Sequence, residues 1–484
     1  MSLQTKALYY RNFHHSKRDD PNYLQTFYFF CFITVLSLIV ISIKYGAAAA
    51  TDRLGQIDTE GAAGDASRQV LYLSLFLIVL AVAWYQRGSS ILSAVSIPYN
   101  IACIWAIVSC IWAIEPSISF RRSIGMYIVL QTVCMLVQSL GTRQTVRAVY
   151  LLLAALTLSS LISVSLSSTS FFSFAVHPPN EADSTLIGTW RGVFMHKNVA
   201  GAVMTYALLL FFHFGLNRKK AIDWVLFGCA CLLLIGTKSK TSIALAGFVL
   251  VAGLIFRFFM ARKGGKVIFC LILIYSLVCI FIVAIIEQEV LYDYFSHPSN
   301  LSGRIAIWTS LLNYIDRHVW LGSGYGSFWT IGYSSPIYSI ATKPFIREIG
   351  HAHSGYFEIL LSTGVIGLVL ALVALVILPL YRLLGARPRD AKLFAFCFSV
   401  WLFGILQNFT ESQFFSPDKQ SWVFVVISIS IVHNLYLRRR KHRLMVQQFR
   451  ERLSPPRSQL VPVVYSASKV FPLPQNDLRR DNKS

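Results

Sequence analysis

Acidic residues are scarce in this sequence. Asp and Glu number 22 against 44 Lys and Arg in 484 residues, and charged residues of both signs make up only 14% of the chain. A soluble domain carries roughly a quarter, so this scarcity, with 55% hydrophobic residues, excludes an ordinary water-soluble globule. All nine cysteines fall inside apolar runs, which excludes a disulfide framework and marks them as small core residues. No Cys or acidic partner recurs at ligand spacing beside the histidines, so neither a metal nor another cofactor is expected. Internal repeats and low-complexity tracts are missing as well. The net charge of +22 would suit nucleic acid, but the basic residues sit in short links between apolar runs and in the last 47 residues. That is the distribution of an inserted membrane protein, and nucleic acid is not an expected partner.

What fills the chain is hydrocarbon. Apolar runs fall near 24–43, 70–86, 91–114, 123–140, 146–168, 198–216, 222–236, 241–260, 266–286, 355–380, 391–409 and 420–437. That makes about twelve helices, each close to the roughly 20 residues a bilayer core demands. The fold class expected is therefore an all-α polytopic membrane protein. No cleavable leader is evident, since the first run is itself long enough to span.

Residues 1–23 are basic (Lys6, Arg11, Lys17, Arg18) and expected to be cytoplasmic, whereas Thr51–Glu60 is slightly acidic and suits the outer face. Arg87, Arg143, Arg147, Arg218, Lys219, Lys220, Arg262, Lys263, Arg382 and Arg438–Lys441 then all fall on the inner side. The transmembrane domain is expected over 24–437, with both termini in the cytoplasm. The basic, Pro-spotted tail 438–484 is expected to be disordered and to lie near anionic lipid.

One polar stretch interrupts this pattern. The insert 287–354 faces outward on the same topology, to the periplasm of a Gram-negative cell. It carries Ser302-Gly303-Arg304, the run Leu321-Gly-Ser-Gly-Tyr-Gly326, and His351-Ala-His353. Arg121, Arg122, Arg191, Lys197 and Arg304 are cations on the outer side, against the usual bias. Arg191 sits in Gly188-Thr-Trp-Arg191-Gly-Val-Phe-Met-His196-Lys197-Asn198, where a polar loop enters a helix. Arg304 follows a plausible Ser302-Gly303 cap and begins the amphipathic pattern Ile305, Ile307, Trp308, Leu311, Leu312. Arginine forks beside helix starts suit phosphate. Lipid headgroups, or pairing with Glu181, Asp183, Glu287 or Glu289, would also account for them. His353, with Glu358 nearby, suits a general base near neutral pH. His177, His297 and His318 read as surface polar residues.

In three segments the sequence resembles the O-antigen ligase and polymerase family of envelope glycosyltransferases, most of all exopolysaccharide polymerases of the succinoglycan type. They are Arg191 to Asn198; Ser302-Gly-Arg304-Ile-Ala-Ile-Trp308 with the glycine run; and His353-Ser354 followed by Gly364-Val-Ile-Gly367. The resemblance implies a GT-C-like membrane fold and a metal-independent glycosyltransferase. It implies that Arg191 and Arg304 hold the diphosphate of an undecaprenyl-linked oligosaccharide, with His353 the essential catalytic residue beside the reacting sugar. Lys197, Asn198, His351 and Glu358 complete the candidate substrate-binding set. The expected partners are that lipid-linked donor, a glycan acceptor, membrane lipids, and a chain-length co-polymerase and flippase. Aromatics of the insert (Trp308, Trp320, Tyr325, Phe328, Trp329, Tyr333, Tyr338, Tyr356) would stack on sugar faces or form an interfacial belt. The motifs do not separate a polymerase from a ligase that uses lipid A core. A transporter is the rival from another class, disfavoured because the spans are nearly free of charge.

Overall fold

The computed structural model describes residues 22–40, 66–179, 184–297, 303–417 and 419–453. The expected cytoplasmic start up to residue 21, the Thr51–Glu60 link, Glu181, Asp183, the Ser302 cap and the tail beyond Leu453 lie outside them. Two compact units divide the chain, Met1–Tyr436 and Leu437–Ser484, and of the second the described residues are the helical 437–453.

Among the described residues the regular structure is helical, as expected. In hydrocarbon a backbone satisfies its polar groups within its own segment, so apolar runs of this length become helices. They are α1 (Asn22–Val40), α2 (Ala66–Arg87), α3 (Ile97–Val108), α4 (Pro116–Ser165), α5 (Lys197–Arg218), α6 (Ala221–Gly236), α7 (Lys240–Met260) and α8 (Gly265–Ile286). The insert adds α9 (Gln288–Ser296) and α10 (Arg304–Ile315). Then follow α11 (Gly355–Leu372), α12 (Ala391–Gln407) and α13 (Gln420–Leu453). Nine described helices are long and apolar enough to cross a membrane, and two shorter apolar ones accompany them. The longest, α4, is not one straight span. Gly141 sits inside it at φ 71, ψ 166, outside helical geometry, so the expected spans 123–140 and 146–168 are two halves of one broken helix. Counting those halves separately gives the twelve segments that hydropathy suggests.

Two other spans depart from the expected simple rods. The run 91–114 divides into a 3-10 segment at Gly88–Ala94, α3, and a 3-10 turn at Ser109–Trp112. Pro98 lacks an N–H and therefore sits in the first turn of α3 rather than mid-helix. In α11, Gly364 is non-helical at φ 67, and the helix widens at Val373–Ile377 before continuing over Leu378–Leu384.

Burial sorts the spans. In α5, 78% of the apolar window is buried against protein, so it is central, packing on α6, α7 and α12. In α8 only 6% is buried, so nearly its whole apolar surface is left for lipid. The charged pair Arg218–Asp223, 3.4 Å apart, lies at helix ends, where α5 leaves and α6 begins.

The insert has a core of its own, with Ile307, Leu311, Tyr314, Phe328, Trp329, Ile337, Ile346 and Ala352 packed together. Its glycine run ties that core to the spans. Ser323 N–H donates to Leu361 O at 2.9 Å, Val365 N–H to Val319 O at 2.8 Å, and Trp112 Nε1 to Leu321 O at 2.9 Å. A Cβ at Gly322 would meet Leu361 O at 2.6 Å, and one at Gly364 would strike the carbonyl of Trp320. The run is thus a backbone seam against the break in α11, and both glycines need positive φ. Arg122 fastens the other side. Its guanidinium donates to the carbonyls of Gly326, Trp329 (3.0 Å) and Thr330 (3.2 Å) and to Thr330 Oγ1 (2.9 Å).

Gly364→Ala is therefore expected to lower the thermal midpoint of the detergent-solubilised protein, by about 2 kcal/mol or more in stability. Gly228→Ala, where a Cβ meets nothing within 4 Å, should match or exceed the parent. Equal midpoints for the two variants would refute the seam.

Candidate active site

The turn entering α11 is built around Ala352, which is fully buried. Its N–H donates to Glu358 Oε2 at 2.9 Å and its carbonyl accepts from Trp308 Nε1 at 3.0 Å. The two flanking imidazoles meet edge to face, with ring centroids 4.1 Å apart. His353 N–H turns back to His351 Nδ1 at 3.3 Å. Ser354 caps the helix through its side chain, and its N–H donates to Ser412 Oγ at 3.1 Å. Gly355 N–H donates to Asn408 O at 2.8 Å and to Glu411 O at 3.1 Å. A Cβ at Gly355 would strike the Asn408 side chain. Every N–H from 352 to 355 therefore has an acceptor, two of them in the loop after α12. This over-determination holds His353 at φ 52, a left-handed conformation costing a β-carbon residue about 1 kcal/mol and concentrated at functional sites.

Arg304 opens α10 directly after Gly303, whose φ of 79 makes the helix start. Ile305, Ile307 and Leu311 bury the expected face, while Leu312 is exposed. The Arg304 guanidinium is mostly buried, with Nη2 3.5 Å from Glu411 Oε1 and a buried Nε that finds no partner among the described residues. Asn198 Nδ2 donates to the same Glu411 oxygen at 3.1 Å. Asn198 lies in the first turn of α5, behind the His196 cap whose Nδ1 accepts Asn198 N–H at 3.1 Å. Asn198 and Arg304 thus meet at one carboxylate, and Lys419 lies close enough to act on it electrostatically.

The charge around the imidazoles is one-sided. Burial, then Arg304, Lys419 and His196, hold His353 down to about 4. Burial, then His353, Lys419 and Arg304, hold His351 down to about 3. Both rings are neutral at pH 7. Burial pushes Glu411 above the usual carboxylate range, against the opposing pull of Arg304 and Lys419.

Other candidates do different work. Arg191 donates to the carbonyls of Phe174 and Met195, and Lys197 Nζ to Thr185 O at 2.6 Å, so both brace their own loop. Glu358 spends an oxygen on Ala352 N–H, bracing the histidine turn. His177, expected at the surface, is buried with its ring 5.7 Å from that of His196. Several aromatics expected to face sugars or interface are consumed in packing: Trp308 stacks on Phe357 at 5.4 Å, and Phe328 and Trp329 fill the insert core. Trp320 and Tyr333 remain well exposed. Among the described residues no three His, Cys, Asp or Glu converge as a metal site.

Beside the turn opens a cavity of about 790 Å³. Its apolar wall comes from α2, α3 and α4 (Leu73, Ala102, Ile128, Val129), and its polar end includes His351, Arg121, Arg122 and Lys419. Thr330 and Phe415 on its wall also have positive φ. The space suits a molecule with a hydrocarbon tail and an anionic head.

Sequence inspection alone missed Asn408, Glu411, Ser412 and Lys419. The available signal was rarity, a lone acid in Asn408-Phe-Thr-Glu411-Ser-Gln413 between two apolar spans in an acid-poor chain.

Because the strain belongs to the backbone, His353→Asn, which tolerates left-handed φ, should keep the parent's thermal midpoint. His353→Val should lose about 2 kcal/mol. If thermal unfolding gives both variants the same stability, the turn is not held as described.

Residues 225–372 match the family model described as O-antigen ligase. The match takes in the insert, Arg304, the glycine run, His351 and His353, and leaves Arg191–Asn198 and the 408–419 loop outside. No curated protein matches the chain. Residues 225–372 thus carry a domain similar to the O-antigen ligase family, set in a chain whose long apolar helices have the architecture of a multi-pass membrane protein.

Proposed function

We propose that the enzyme polymerises undecaprenyl-diphosphate-linked oligosaccharide repeats into exopolysaccharide at the periplasmic face of the bacterial inner membrane. Both termini are then cytoplasmic and the 287–354 insert faces outward, alongside a co-polymerase and flippase. The family acts on lipid-linked glycans. The observation that carries the proposal is the nearness of Arg304 and Lys419 to a neutral His353, in a turn whose His351 lines, with Lys419, an amphipathic cavity.

The chemistry follows from charge. As the anomeric C–O bond to the diphosphate breaks, its electron pair leaves with the phosphate oxygen, and negative charge grows there. Arg304, largely buried, meets that charge where water is scarce and Coulomb interactions are strong. Arg191 is the second candidate cation, braced at the entry to α5. The acceptor hydroxyl attacks the opposite face of the anomeric carbon, forms the new C–O bond and inverts the centre. His353 takes the hydroxyl proton, a general-base role worth roughly 10²–10⁴-fold in rate. An imidazole held near 4 is a weak base in isolation. The arriving diphosphate offsets the Arg304 and Lys419 charges that depress it, so basicity rises when the donor is bound. Lys197, Asn198, His351 and Glu358 line or brace the substrate site. The same geometry serves a ligase with a lipid A core acceptor. A recipient strain lacking one activity separates the two, by recovery of free polysaccharide or of modified lipopolysaccharide.

His353→Ala and Arg304→Ala should insert at parental levels yet yield no high-molecular-weight glycan, and Arg304→Lys should restore only part, since a point charge cannot replace a fork. Parental polymer from His353→Ala cells would remove the base assignment. With purified donor, kcat/KM reports the free enzyme, so its acid limb should lie near 4. Protonating His353 disables the base, so activity holds as pH falls to about 5 and drops only below it. A limb at the ordinary histidine value, about 6.5, would contradict the depressed imidazole. Reporter fusions that put His353 in the cytosol would overturn the proposal as a whole.

A further inference from the structure

Glu411 is the acid in contact with the Arg304 guanidinium, and its geometry is odd for a permanent partner. A structural arginine–carboxylate pair closes two parallel hydrogen bonds near 2.8 Å. Here one guanidinium nitrogen approaches one oxygen at 3.5 Å, and the neighbouring buried Nε has no partner among the described residues. A guanidinium has five N–H donors, so most of this fork is unspent. Glu411 Oε1 is shared with Asn198 Nδ2 at 3.1 Å, and Asn198 Oδ1 in turn accepts from Ser239 Oγ at 3.3 Å. One carboxylate oxygen thus sits between a loosely held cation on α10 and an amide donor on α5. The backbone beneath it is fixed separately, because Glu411 O accepts from Gly355 N–H and Ser412 Oγ from Ser354 N–H. The side chain can swing away while the histidine turn stays clasped.

We propose that Glu411 is a placeholder anion, which holds Arg304 and Asn198 in position until the donor diphosphate displaces it from both. This rests on Arg304 being the diphosphate cation. The groups acting on Glu411 are Arg304, Lys419 and Asn198, and the neighbouring imidazoles of His351 and His353 are neutral at pH 7. Glu358 is turned to Ala352 N–H instead. Before the donor binds, Glu411 offsets part of the Arg304 and Lys419 charge and keeps the fork aimed. During binding it competes with the diphosphate. After transfer it returns to Arg304 and helps expel undecaprenyl diphosphate. Glu411 acts through Arg304 and Asn198 and is a positioning residue.

The test uses the full chain in nanodiscs with undecaprenyl diphosphate as probe. Glu411→Gln keeps an oxygen for Asn198 but removes the competing charge, so its Kd should tighten about tenfold, while kcat falls because release slows. Loss of a merely structural contact would not tighten binding. Glu411→Asp keeps the charge and should bind no more tightly than the parent. Arg304→Ala should bind more weakly. If Arg304→Ala weakens binding and Glu411→Gln does not tighten it, the placeholder is overturned and the Arg304 assignment stands. If Arg304→Ala binds like the parent, both fall.

Discussion

Four successive backbone N–H groups, from Ala352 to Gly355, must find acceptors in a place with little water, and the rest of the site follows from how they do so. An unpaired buried N–H costs on the order of 1–3 kcal/mol, so this turn cannot exist without its partners. It finds them in Glu358 Oε2, His351 Nδ1, Ser412 Oγ and the carbonyls of Asn408 and Glu411. Because two of the four N–H groups are satisfied by the loop between α12 and α13, the His353 turn and that loop form one rigid piece. A helix start whose first N–H already serves Asn408 and Glu411 has less to offer a passing anion. On the proposed mechanism the task of meeting negative charge then falls to side chains, foremost Arg304.

Acid scarcity has a local meaning here. Among the described residues Glu411 is the carboxylate paired with Arg304, at a loose 3.5 Å, so Arg304 and Lys419 are only partly neutralised and their field falls on two buried imidazoles. The result is a pair of neutral histidines beside two cations. In water such an arrangement would be screened within about 10 Å; withdrawn from solvent as these imidazoles are, it is screened less. A site built this way gains its full attraction only for an anion, and loses the penalty on its imidazoles at the same moment. Charge recognition and base activation are therefore one event on the proposed mechanism.

How much of this is legible in the sequence depends on the range of the interaction involved. The spans come from composition and length alone, and hydropathy places nearly all of them. The split of α4 at Gly141 hides because a single glycine in a long apolar run reads as a tolerated residue until its φ is known. Arg304 at the head of α10 is readable from the amphipathic repeat behind it. The roles of Arg191 and Lys197 as braces are not, since their acceptors are backbone carbonyls that carry no sequence signature. Glu411 lies 107 residues from Arg304 and 213 from Asn198, and no periodicity connects residues so far apart. Trp308, Phe328 and Trp329 have the composition of a sugar platform but fill the insert's core, because a folded insert has to bury something of its own.

The insert's core meets the break in α11 along a backbone seam, with the Arg122 and Trp112 side chains fastening it further, and that seam has a consequence for the site. Gly322 and Gly364 allow two main chains to approach within hydrogen-bonding distance, which no pair of side-chain-bearing residues at those φ values would permit. Side-chain packing yields by rotamer changes, whereas a seam of N–H···O=C bonds fixes register. The seam at Leu361–Val365 lies about two turns along α11 from the His353 turn, so α10, which carries Arg304, and α11, which follows His353, are indexed to each other by main-chain geometry. A loosely held ion pair such as Arg304–Glu411 can then stay exchangeable without the two catalytic elements drifting apart. On the proposed mechanism, rigidity in the backbone is what permits mobility in the Glu411 carboxylate.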